Sequence, residues 1–132
     1  MKIVVATDRS ETARQAVAWA ADLRHRFDAH LVLLQVLTEA QEGAEELLRA
    51  DAEALAGARA ILRVDTDVAG AIVRAAEEEG ADLLVVGNAG MGGRKEFLLG
   101  NVPNRVSHLT RRTLVIVNTA QRVERRKKRF GL

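Results

Sequence analysis

Cysteine is absent from the 132-residue sequence, which excludes disulfides, thiolate nucleophiles and cysteine metal sites. Tyrosine is absent too, and with three Phe and one Trp the aromatics amount to 3%. Base-stacking modes of nucleic-acid recognition need aromatic platforms, so they fall away. No apolar run approaches the ~18 residues of a membrane-spanning helix. The opening residues reach a carboxylate at Asp8 before any stretch long enough for a signal peptide, so a cytoplasmic setting is expected. His25, His30 and His108 show no metal-ligand spacing with one another or with nearby carboxylates. Ser10, Ser107 and His108 do not assemble a hydrolytic triad, because nothing places a base, an orienter and an oxyanion donor around a nucleophile.

What is present suits one domain. Apolar residues make up 48% and charged residues 29%, enough hydrophobe for a packed core in a chain of this length. With so few aromatics, that core is built from Ala, Val, Leu and Ile. The net charge of +2 conceals a division: residues 122–132 hold six of the 20 basic side chains and one acid, Glu124, leaving 14 basic against 17 acidic residues elsewhere. A globular body over residues 1–120 is expected to carry a basic tail over 121–132. Such a tail either stays solvated or makes an electrostatic contact with an anionic surface.

Along the chain, Ile3 to Ala6 is a β-branched run suited to a strand buried on both faces. It stops at Thr7 and Asp8. Asp8 to Glu11 then offer N-cap and first-turn acid chemistry, and Ala13, Ala16, Val17, Ala20, Leu23 and Phe27 share one helical stripe. His30 to Leu37 reads as a second strand, and residues 41–56 as a helix with Ala44, Leu48 and Leu55 inward, ended by Gly57. Ala60 to Val64 is a weaker strand. Asp67 caps a helix with Val68, Ile72, Ala75 and Ala76 inward, and Gly80 stops it. Ala81 to Val86 is the most continuous apolar strand. Asn101 precedes a short helix marked by Val102, Val106 and Leu109 with Pro103 in its first turn, and Thr113 to Val117 is the last strand. Strands alternating with helices over short connections predict a parallel α/β sheet covered on both faces.

Between the fourth strand and the last helix lies the segment from Gly87 to Asn101, which holds five of the ten glycines. It delivers the chain from a strand's carboxyl end to a helix N-terminus, where free N–H groups favour an anion. Glycines there let a phosphate approach the backbone. In doubly wound sheets this is where ligands bind, so a nucleotide is the natural ligand. Two familiar motifs do not match. Gly87 and Gly92 have the spacing of the G-x-x-x-x-G-K-[ST] phosphate loop, but Gly93 and Arg94 follow them; and the first turn, Thr7 to Ser10, lacks the glycines of the dinucleotide fingerprint.

The spacing Gly87-x-x-Gly90, then nine residues, then Gly100 and a small polar residue, resembles the G-x2-G-x9-G motif of ATP-binding members of the universal stress protein family. The resemblance extends over residues 1–119: the opening strand ending in Thr7 and Asp8 with Ser10 and Glu11 behind it, the second strand ending near Val36, and the closing run Leu114 to Val117. It implies a Rossmann-like, doubly wound five-stranded parallel sheet of order 3-2-1-4-5, of the adenine nucleotide alpha hydrolase type. That order makes strands 1 and 4 neighbours and brings Asp8 and the glycine segment to one cleft.

Carried over by position, the resemblance implies an ATP, ADP or AMP ligand, with or without magnesium. Adenine would pack beside Ala6, Thr7 and the backbone near Val36, and Asp8 would accept from the ribose hydroxyls. Gly87 would approach the ribose; Gly90, Gly100 and Asn101 would donate to phosphates, with Arg94 adding charge. Two positions depart from the family pattern. Asn101 stands where Ser or Thr is common, and its amide either donates to a phosphate or caps the helix. Arg9 stands where many members have Gly, and is expected to point to water. The function so implied is a stress-response regulator whose conformation or assembly the nucleotide biases, with hydrolysis at most slow. The family also implies a homodimer through Leu114 to Val117, and a regulator implies a further, unidentified protein partner. A nucleotide-independent dimeric interaction module of the same fold is the alternative.

Overall fold

The computed structural model describes residues 1–88 and 101–118. The predicted alternation is present: β1 (Lys2–Ala6), α1 (Glu11–Phe27), β2 (His30–Leu37), α2 (Ala44–Glu53), β3 (Arg59–Val64), α3 (Val68–Glu79), β4 (Leu83–Gly87), α4 (Val102–Leu109) and β5 (Thr113–Val117). The strands form one sheet of order β3-β2-β1-β4-β5, and every pairing is parallel. β1 is central, with Ile3 in register with Leu31 on one side and Leu83 on the other.

Side chains alternate across the sheet. Ile3, Val5, Leu31, Leu33 and Val85 pack with Ala16 and Ala20 of α1 and Leu48 of α2. Val4, Ala6, Val32, Leu34, Leu84 and Val86 pack with Ile72 and Ala75 of α3 and Val106 of α4. The core is therefore two aliphatic layers on either side of β1, β2 and β4, the arrangement that continuous β-branched runs predict. Alanines on the helices let them lie close to the sheet.

Local chemistry sets the element ends. Ser10 is the N-cap of α1, its Oγ accepting from the Ala13 N–H at 3.1 Å. Asp67 caps α3 through the Gly70 N–H at 3.1 Å, and Gly80 closes that helix in the left-handed region at φ 65°. Three expectations need correction. Phe27, predicted on the buried stripe, is 60% exposed because α1 ends there and Asp28 turns the chain away. Leu109, at the last position of α4, is also exposed. α2 begins at Ala44, three residues later than predicted, behind Gly43 in the left-handed region. Among the described residues no helix is long and apolar enough to cross a membrane. The basic tail lies outside the described residues.

Candidate functional site

The crossovers through α1 and α2 lie on one face of the sheet, and those through α3 and α4 on the other. The chain changes face between β1 and β4, which opens a crevice at the carboxyl ends of the strands. A cleft of about 350 Å³ lies at the carboxyl ends of β1 and β2, beside the first turns of α3 and α4, near the lower end of the size range of small-molecule sites. Its floor is Ala6 and Leu34, and Val36, Ile72 and Val102 make an apolar wall. Thr7, Asp8, Ser10, Thr38 and Gln41 give it a polar rim.

The Asp8 side is built by the turn from β1 to α1. The Thr7 N–H donates to the Leu34 carbonyl at 2.8 Å, extending the sheet by one residue. Thr7 Oγ1 accepts from the Arg9 N–H at 3.0 Å, and Asp8 Oδ1 accepts from the Ser10 N–H at 2.8 Å. Each short polar side chain satisfies a backbone donor two residues on, the habit of Asp and Thr in turns. The helix cap itself is Ser10, not Asp8. Arg9, expected in water, instead reaches α2: its Nε and Nη2 donate to Asp51 Oδ2 and Oδ1 at 2.6 and 3.3 Å. The hydrogen bond and charge of Asp51 raise the Arg9 pKa against the opposing effect of burial.

Of the residues singled out by sequence, Ala6, Thr7, Asp8 and Val36 meet on this cleft. Gly87 ends β4 in register with Val117, and just beyond it the Asn88 amide donates to Asn118 Oδ1 at 2.9 Å. Asn101 is the N-cap residue of α4 with φ 116°, and its side chain makes no capping bond, so the capping role is not taken. Its neighbour Val102 lines the cleft. Gly90, Arg94 and Gly100 lie outside the described residues. Among the described residues, no group of three or more His, Asp or Glu is placed to hold a metal.

Sequence reasoning passed over Thr38, Gln41 and Gln35. All three lie at or just after the carboxyl end of β2, the place where the crevice rule puts ligand contacts. Gln35 is 7% exposed and lines the cleft. Its Oε1 is buried with no donor among the described residues, a state that costs about 1 to 3 kcal/mol.

The universal stress protein family model matches residues 1–65 and 38–118, and so covers nearly the whole chain. The chain belongs to the universal stress protein family. Universal stress protein Rv1636 of Mycobacterium tuberculosis is 31% identical, the match covering 89% of this chain and 95% of that protein. A solved universal stress protein in complex with cAMP is 30% identical with a TM-score of 0.73, covering 90% of this chain and 97% of the other. The universal stress protein from Archaeoglobus fulgidus in complex with dAMP has a TM-score of 0.69 at 22% identity, covering 89% of this chain and 98% of that one; at that identity the likeness speaks to the fold. The sheet order implied by the family motif is the order found here.

Proposed function

We propose that this universal stress protein is an adenine-nucleotide-binding regulator, with ATP, ADP or AMP seated in the cleft between the ends of β1, β2 and α4. The observation that carries the reading is the juxtaposition of the Asp8 carboxylate with the apolar wall of Ala6, Val36 and Val102. A flat apolar base suits that wall, and a fixed carboxylate suits a vicinal diol, whose two hydroxyls are both donors. The α4 N-terminus follows Asn101, and its first turn, in which Pro103 has no N–H, presents N–H groups without partners inside the helix toward which phosphates would extend. Gly90, Gly100 and Arg94 would complete the phosphate contacts, and any magnesium would arrive with the phosphates. Binding of cAMP by a solved relative at 30% identity supports the ligand class.

In this reading the bound nucleotide changes conformation or assembly rather than being rapidly turned over. Denaturing the purified protein and chromatographing the supernatant would reveal co-purified adenine nucleotide, and calorimetry would measure binding of added ATP and AMP. Absence of both would overturn the reading. A second reading, a dimeric module independent of nucleotide, draws on β5: it is an edge strand, and Ile116 on it is 44% exposed. Apolar edges of this kind call for covering by a partner. Sedimentation equilibrium that shows only monomer at micromolar concentration would count against it.

A further inference from the structure

Three of the four residues in the turn from β1 to α1, Thr7, Asp8 and Ser10, line the cleft. The fourth, Arg9, turns the opposite way. Its backbone is left-handed at φ 65°, a region that costs a residue with a side chain and that glycine enters freely. The strained conformation is held from both ends. Thr7 Oγ1 takes the Arg9 N–H, and the guanidinium forms a two-pronged pair with Asp51 on the second face-covering helix, 42 residues away. The side chains are only 23% and 31% exposed, so water competes weakly for this pair, and two parallel bonds fix its direction as well as its length. The next backbone N–H, that of Ser10, is the one that orients Asp8 Oδ1.

The carboxylate at the cleft and the carboxylate on α2 are thus linked through a single turn. We infer that Arg9 and Asp51 act as a positioning clamp for Asp8, so that α2 sets the affinity for the ribose diol without touching the nucleotide. This inference rests on the reading of Asp8 as the ribose acceptor. Glycine at position 9 would relieve the backbone strain but release the tether. The turn would then visit conformations in which Asp8 is turned out of the cleft, and apparent affinity falls in proportion to the competent fraction.

Adenosine is the probe of choice for a test by calorimetry. It carries the diol and no phosphate, so added salt acts on the clamp and not on phosphate contacts. Arg9→Gly and Asp51→Asn are each expected to weaken adenosine by about 5- to 20-fold, with thermal midpoints close to that of the parent chain. The double variant is expected to be no weaker than either single one, since both remove the same link. Glu45→Gln, which breaks the surface pair with Arg49 on the same helix, should leave affinity unchanged. Additive losses in the double variant, or unchanged affinity in both single variants while Asp8→Asn weakens binding, would overturn the clamp alone. If the parent chain binds neither adenosine nor AMP, or Asp8→Asn binds as the parent does, the reading of the site fails and the clamp with it.

Discussion

The two ends of the sheet are finished in different ways. At the amino ends of the strands, the Lys2 N–H donates to the Asp82 carboxylate, and Glu79 is shared between Lys2 and Arg59. There too, Arg112 joins the Ala81 carbonyl to the Glu77 carboxylate. That end is laced shut. At the carboxyl ends the strands open into a cleft, and the polar side chains of the first turn serve their own backbone. The only non-glycine residue in that turn with positive φ, Arg9, sits there. Ion pairs occur at both ends, Arg9–Asp51, Arg74–Asp65 and Arg105–Asp67 among them at the carboxyl ends. What differs is that at the amino ends they tie strand starts to α3, whereas at the carboxyl ends they tie the connections that surround a cleft.

The comparison breaks most heavily from its middle. Leu84 is fully buried in β4 beside Val4, and Leu84→Ala is expected to cost about 2 to 5 kcal/mol by leaving a cavity. Denaturant unfolding would measure it, and both ends should loosen together. The closed end is tested by Glu79→Gln, for which about 1 to 2 kcal/mol is expected, between the values for exposed and buried pairs, with nucleotide affinity unchanged. Glu79 also gives that end a pH signature. Partial burial, with the side chain 15% exposed, pushes its pKa up, but the hydrogen bonds and charges of Arg59 and Lys2 outweigh this and leave it below the ordinary glutamate value. A carboxyl with a depressed folded-state pKa stabilises the fold above its unfolded value, about 4.3, and loses that stabilisation as pH falls through the folded value. Unfolding curves from pH 7 to pH 3 should show this loss in the parent chain and not in Glu79→Gln.

The smallest effect is expected at Gly70. A Cβ there would come 2.2 Å from Asp67 Oδ2, so the capping carboxylate must swing aside and a cap worth about 1 kcal/mol is lost. Alanine regains about 1 kcal/mol of helix propensity. Thermal unfolding of Gly70→Ala should therefore differ from the parent by less than about 1 kcal/mol, which would show that the fringe of the cleft tolerates rearrangement.

Much of the fold was legible because it is local. The apolar runs from Ile3 to Ala6 and from Leu83 to Val86 become the two central strands, and Ser10, Asp67 and Gly80 punctuate the helices as their chemistry dictates. The sheet order came instead from the resemblance carried by the glycine spacing. At the site, Ala6, Thr7, Asp8 and Val36 came from the resemblance, carried over by position, and the structure brings the four onto one cleft. Arg9 was misread because its partner lies on another element, and no periodicity within one segment encodes a pair 42 residues apart. Thr38 and Gln41 were missed because they belong to a connection with no periodic pattern, although their position after β2 was a sufficient signal. Phe27 was misplaced because a helical stripe does not say where the helix leaves the sheet.

The central claim is that Asp8 holds a ribose in the open end of the sheet. Calorimetric titration of AMP into the parent chain and into Asp8→Asn tests it directly. A lost charge-assisted hydrogen bond predicts an affinity about 10- to 100-fold weaker in Asp8→Asn, with the thermal midpoint unchanged. Equal affinities in two equally stable proteins would contradict the account.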